Sequence, residues 1–281
     1  MGVLAVYDTV GIQNYIFATN KLAENVGGSK LLKDVFQKLL PAVMEEVTKE
    51  ERLEWEHGKE LVVPQRKAEI VYQGGGNAYV AFKNEEEFHK ITEAFLIEVN
   101  KTAPGIGIAV AAVKTDFTDK YQEDFKNLNG RLAYAKGGFN IPVFAGNQPI
   151  TKQSIITGTP VDVYNNTNNE DEYFNSSQKK KRDRYREYQE CRGSDIRDFD
   201  DLAFEKGTDS LIAIIHADGN NMGKQITEFM GQANLKDYKY AVPAIRQLSS
   251  KIDACYKAAR DKTKKAFYTE RQDTGTVPLS S

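Results

Sequence analysis

An aspartate at the carboxyl end of a buried strand, followed by a glycine-containing turn into a helix, can hold a magnesium or manganese ion against nucleotide phosphates. The carboxylate meets the metal while the amides of the turn and the helix start meet the phosphate oxygens. The sequence carries this pattern twice. The first copy is Val3-Leu4-Ala5-Val6-Tyr7-Asp8 followed by Thr9-Val10-Gly11-Ile12-Gln13. The second is Leu211-Ile212-Ala213-Ile214-Ile215-His216-Ala217-Asp218 followed by Gly219-Asn220-Asn221-Met222-Gly223-Lys224. In the second, Asp218 either ligates metal or caps the helix that follows. As a ligand it would help hold two ions about 3.5 to 4 Å apart, which activate an attacking hydroxyl and steady a leaving phosphate, so Asp218 would serve the catalytic centre without acting as a base. Gly219, Asn220, Asn221 and Gly223 would line the phosphates, and Lys224 is either a phosphate contact or an exposed first-turn lysine. His216 shares the strand face of Asp218 and reads best as a core histidine.

Asp8 is the corresponding metal candidate of the first module, and its partners would come from the hairpin Gly74-Gly75-Gly76-Asn77. That turn has no carboxylate, so a two-metal centre is not completed there. Its backbone can still bind a nucleotide base or phosphate, or the glycines serve only a tight turn. Gly27-Gly28-Ser29 reads as a helix start and offers either an anion seat or an ordinary cap.

Periodicity supplies the elements that must position these residues. Residues 3–8 read as a buried strand. Leu31, Leu32, Val35, Phe36, Leu39, Leu40 and Val43 mark an amphipathic helix from Ser29 to Val47. Ala68–Gln73 and Ala78–Phe82 are strands of a hairpin, Glu85–Asn100 a helix and Gly105–Lys114 another strand. The order strand, helix, strand, strand, helix, strand predicts an α+β, ferredoxin-like sheet of the kind used by polymerase palms and nucleotide cyclases. A helix follows over Tyr121–Lys136, then a charged stretch from Asp162 to Gly207, then a long helical pattern from Tyr240 to Phe267. Three segments are expected: a first palm over 1–118, a helical connector with a charged insertion over 119–206, and the opening half of a second palm over 207–281. Only Thr276-Val277-Pro278-Leu279-Ser280-Ser281 remains for the hairpin of that second module, which is therefore expected to be incomplete.

The 281 residues, 40% of them hydrophobic, suffice for ordinary globular cores. Apolar runs are strand-sized, far short of the roughly 18 to 20 residues of a spanning helix, so a cytoplasmic protein without membrane contact is expected. The cysteines, Cys191 and Cys255, have no spacing suited to structural zinc or a disulfide framework. Behind a net charge of −2 lies the basic run Lys179-Lys180-Lys181-Arg182-Asp183-Arg184-Tyr185-Arg186, either a solvated face or an RNA contact.

At Asp8-Thr9-Val10-Gly11-Ile12-Gln13-Asn14-Tyr15-Ile16-Phe17, Gly27-Gly28-Ser29-Lys30-Leu31-Leu32, Gly74-Gly75-Gly76 and His216-Ala217-Asp218-Gly219-Asn220-Asn221-Met222-Gly223, the chain resembles the large polymerase-like subunit of type III CRISPR effector complexes and its stand-alone relatives. The resemblance implies two packed ferredoxin-like palms. It also implies metal-dependent joining of ATP into cyclic oligoadenylates for antiviral signalling, with Asp218 matching the first carboxylate of the catalytic palm. The family's remaining carboxylates lie in a Gly-Gly-Asp-Asp hairpin, which this sequence lacks. Its nuclease His-Asp pair and inter-palm zinc cysteines are also missing. The expectation is an ATP-binding palm protein, inactive as an isolated chain. The competing expectation is a non-catalytic scaffold that recognises a nucleotide, an RNA or a protein partner.

Overall fold

The structure is a computed structural model that describes residues 1–52, 61, 63, 65–138, 151–154, 156–167, 170–192, 221–232 and 235–271. Its centre is a four-stranded antiparallel sheet of β1 (Gly2–Val10), β2 (Ala68–Gly74), β3 (Asn77–Phe82) and β4 (Gly107–Thr115), in the order β2-β3-β1-β4. The expected β-α-β-β-α-β sequence is present, with β1 between β3 and β4 in continuous register. Alternation along β1 divides its side chains between two cores. Val3, Ala5 and Tyr7 enter one, and Leu4 and Val6 the other.

The first core is closed by α2 (Leu22–Asp34), a π-helical turn (Val35–Leu39), α3 (Leu40–Thr48) and α4 (Glu85–Thr102). Asn84 caps α4 by accepting the Glu87 N–H at 2.9 Å, and Glu85 to Glu87 suit the positive end of its dipole. The π-turn has a local cause. Pro41 brings no N–H to the ladder, and just before it the Leu40 N–H reaches back to Val35 O, five residues away. The helix expected to start at Ser29 instead starts at Leu22, after the short α1 (Ile12–Ile16).

The second core was not legible as such. It is closed by α5 (Tyr121–Gly137) and by the first half of α8 (Tyr238–Arg271), preceded by α7 (Met222–Met230). Tyr238, Ala241, Val242 and Ile245 of α8 are buried with Leu4, Val6, Val71, Tyr79 and Leu128. The described part of 207–281 therefore shares a core with the sheet of 1–118. Between them, the charged stretch forms an antiparallel hairpin of β5 (Val163–Thr167) and β6 (Glu170–Phe174), followed by α6 (Ser176–Arg192).

Helix α6 lies across α2 at its two glycines. A Cβ on Gly27 would overlap the backbone carbonyl of Lys181, and one on Gly28 would stand 3.4 Å from the Lys181 side chain. These glycines permit a close helix crossing inside α2, which corrects their expected place at a helix start.

Candidate functional site

The β2–β3 hairpin turns through Gly75 and Gly76, at φ 61° and 84°. Two successive left-handed residues make the tight turn whose twist matches paired strands, and glycine adopts that conformation without penalty. Gly76 is further pinned because its carbonyl accepts both the Thr9 N–H and the Thr9 hydroxyl at 2.9 Å, and an added Cβ would come within 2.7 Å of Thr9 Oγ1. Gly74 is different. It is not in the left-handed region, and a Cβ there would meet nothing within 4 Å. Neither backbone strain nor a neighbouring side chain accounts for glycine at 74, which leaves bare backbone facing open space.

That space is where three cavities meet. One of about 260 Å³ lies towards α7 and α8, walled by Tyr72, Ile226, Ile245, Leu248 and Ile252. Another of about 270 Å³ lies towards α1, α2 and the π-turn, reaching Ile12, Ser29, Leu32 and Phe36. The third, about 820 Å³, spreads between the π-turn and α8 and is rimmed by Lys33, Lys38, Arg52 and Lys257. All three are floored by Gly74 and Gly75. Two of the sequence-predicted groups, Ser29 and the Gly74 to Asn77 hairpin, are thus brought to one cavity.

Two amide oxygens beside the turn, Gln73 Oε1 and Asn77 Oδ1, are buried and have no hydrogen-bond partner among the described residues. A buried acceptor without a donor costs about 1–3 kcal/mol, which a ligand N–H would recover. Gln73 lines the 270 and 820 Å³ cavities, and Asn77 the two smaller ones. The phenol of Tyr72, stacked on Tyr79 at 4.7 Å, is pushed well above its ordinary pKa, chiefly by burial, and stays protonated as a donor.

Asp8 does not stand at the end of its strand, which continues to Val10, and its carboxylate is 2.9 Å from Lys136 Nζ of α5. In this structure the Asp8 carboxylate is thus paired with an ammonium. No group of three or more His, Cys, Asp or Glu is placed to share a metal among the described residues. Asp218, Gly219 and Asn220 lie outside the described residues. Asn221 precedes α7 in the left-handed region at φ 54° and makes no side-chain cap, Gly223 lies in the first turn of α7, and Lys224 is exposed, 3.8 Å from Glu228. Neither Asn221 nor Lys224 lines the three cavities.

Half of the basic run is turned into the molecule, while Lys179, Lys180 and Arg186 stay exposed. Lys181 is 2% exposed, donates to Tyr15 O and has its pKa lowered to about 8 by burial. Arg182 bridges Glu24 and Glu172 at 2.8 Å each, and Arg184 reaches Asp34 at 2.6 Å. These three side chains hold α6 to α1, α2 and β6, which corrects the expectation of a solvated face at these positions and withdraws them from RNA. Sequence reasoning did not find Gln73, Lys33, Lys38 or Lys257. They are ordinary polar residues of strand and helix, and only their convergence on one floor sets them apart.

No family model matches the sequence, and no curated protein matches it. Among solved structures, a chain of the Csm1–Csm4 cassette in complex with cA4 aligns at 16% identity, covering 48% of this chain and 18% of that one, with a TM-score of 0.36. The same cassette in complex with AMPPNP aligns at 15% identity with a TM-score of 0.35, and the apo cassette at 14% and 0.35. The chain spans only 18% of the length of these neighbours. A likeness this weak assigns neither fold nor activity.

Among the described residues no helix is long and apolar enough to cross a membrane.

Proposed function

We propose that this chain is a palm-type protein that binds a nucleoside triphosphate at the β2–β3 hairpin. The observation that carries the reading is the bare Gly74–Gly75 floor on which three cavities converge, flanked by the unpartnered acceptors of Gln73 and Asn77. A base fits the apolar cavity beside Tyr72, its exocyclic amine satisfying an amide oxygen, while backbone at Gly74 allows close approach. ATP meets these requirements. The antiparallel β-α-β-β-α-β sheet and the motif resemblance support a ferredoxin-like palm related to CRISPR-associated oligoadenylate synthases of antiviral defence.

In the same reading Asp218 contributes to a magnesium or manganese site in a second palm, where the metal would activate a hydroxyl and neutralise phosphate charge. In this reading the chain alone does not complete a nucleotidyl-transfer centre, since no Gly-Gly-Asp-Asp hairpin accompanies Asp218 in this sequence. The ion pair of Asp8 with Lys136 favours a non-catalytic role for the first module, as a nucleotide-binding scaffold that presents its ligand to a protein partner.

Calorimetric titration of the full chain with ATP and GTP, with and without magnesium, tests the reading alongside Gly74→Val and Asp218→Ala. A Cβ at position 74 meets nothing within 4 Å, so Gly74→Val should fill the floor and weaken ATP binding at least about ten-fold without lowering the melting temperature. Wild-type ATP affinity in Gly74→Val, or no nucleotide binding by the wild type, would sink the reading.

A further inference from the structure

We propose that the 820 Å³ cleft between the π-turn and α8 is the polyphosphate subsite, and that Arg184, on the separate helix α6, positions its lysine Lys38 by holding Asp34. The proposal rests on the nucleotide reading above, and deepens it by naming where the phosphate chain lies and what sets the charge there.

The cleft opens from the Gly74–Gly75 floor and, among the described residues, presents Lys33, Lys38, Arg52 and Lys257 against one acid, Asp253. Asp253 is matched by Lys257 at 2.5 Å. Among the described lining residues the remaining cations have no acid of their own, and a concave wall of one charge sign concentrates its field on an anion. The π-turn contributes directly, since its widened coil carries Gln37 and Lys38 to the cleft while Phe36 stays in the core.

Lys38 has an acidic neighbour outside the lining. Asp34 Oδ1 stands 3.1 Å from Lys38 Nζ, a pair that would by itself be neutral and hold the ammonium back from a ligand. The other oxygen of Asp34 is 2.6 Å from Arg184 Nε. Asp34 and Arg184 are each about one-fifth exposed, whereas Lys38 is 67% exposed and able to swing. The Arg184–Asp34 contact is therefore the less screened of the two, and the triad carries one net positive charge that the Lys38 head delivers to the cleft. Arg184 also lies 3.4 Å from Glu187, but that carboxylate is 66% exposed and well hydrated. Docking of α6 at the Gly27–Gly28 notch is thereby read as charge in a site it does not line.

The test titrates the full chain with inorganic triphosphate and with ATP, for wild type, Arg184→Ala, Arg184→Lys, Asp34→Asn and Arg184→Ala/Asp34→Asn, with each melting temperature recorded. Arg184→Ala should weaken triphosphate binding roughly three- to ten-fold, the effect of removing one nearby charge across partly screened solvent. Arg184→Lys should restore most of it. Asp34→Asn should bind at least as tightly as wild type although it loses two ion pairs and melts lower, and the double variant should recover the loss of Arg184→Ala. If Asp34→Asn instead weakens binding alongside Arg184→Ala, Arg184 only docks α6 and the proposal fails. ATP bound more tightly than triphosphate, with neither affinity changing across the five proteins, overturns the proposal and leaves the nucleotide reading intact. Triphosphate binding without ATP preference, but with the expected order of variants, overturns the nucleotide reading alone. A wild type that binds neither ligand overturns both.

Discussion

Arg246 of α8 and Glu69 of β2 form an ion pair of 2.9 Å with side chains 1% and 2% exposed. The same guanidinium donates to Val71 O at 2.9 Å and Ile70 O at 2.6 Å, where the pairing of β2 with β3 slips by a residue. The edge strand of the sheet is thus sealed by a charged side chain from a helix far along the sequence. This holds β2 closed to pairing with another chain and fixes α8 beside the hairpin.

Removing one member of such a pair strands a buried charge. Arg246→Ala should cost about 3–5 kcal/mol, read as a lower urea midpoint, whereas Arg246→Met combined with Glu69→Met should lose much less. Equal losses in the single and double variants would show that the backbone contacts of Arg246 outweigh its charge.

Glycine to alanine should change sign with position. Gly27→Ala must displace the Lys181 backbone and is expected to destabilise by about 1–3 kcal/mol and expose α6 to proteolysis. Gly130→Ala, on α5 with nothing within 4 Å of its Cβ, should stabilise by about 0.5–1 kcal/mol. Thermal melts of the two variants decide it.

Lys181 predicts a pH dependence. Burial lowers its folded-state pKa to about 8 from the model-compound 10.5, so above pH 8 the unfolded chain binds more protons than the folded one. Its penalty on stability is full below pH 8 and is relieved as pH rises towards 10.5. The wild type should gain stability relative to Lys181→Met across that window, and a constant difference between the two proteins from pH 7 to 10 would contradict the assignment.

Within the basic run, substitutions should separate by partner and not by charge. Arg182→Ala leaves Glu24, 1% exposed, without its guanidinium and should cost about 3 kcal/mol, while Arg186→Ala, 71% exposed, should stay within about 0.5 kcal/mol. Chemical denaturation of both proteins measures the contrast, and equal losses would mean that α6 is held by other contacts.

The sheet was legible because its signals are local. The unbroken apolar run of Val3 to Tyr7, the glycine turn at 74–76 and the helical spacing in Phe88, Ile91 and Phe95 each specify a backbone state within a few residues. Gly27-Gly28 was misread for the converse reason. A glycine pair signals a turn locally, yet here it stays helical because the backbone of Lys181 passes against it. The basic run was ambiguous in sequence because charge alone does not show whether an acid such as Glu24 or Asp34 waits on another helix.

The sequence by itself determined the strand and helix order, the hairpin and its glycines, and the carboxylate of Asp8 in the central strand, since these depend on backbone preference and periodicity. Tertiary structure alone decided that Lys136 meets Asp8, that α8 covers the second face of the sheet, and that Gln73, Lys38 and Lys257 converge on Gly74. Those contacts join residues scores of positions apart, and side-chain chemistry carries no local trace of the partner that burial will bring to it.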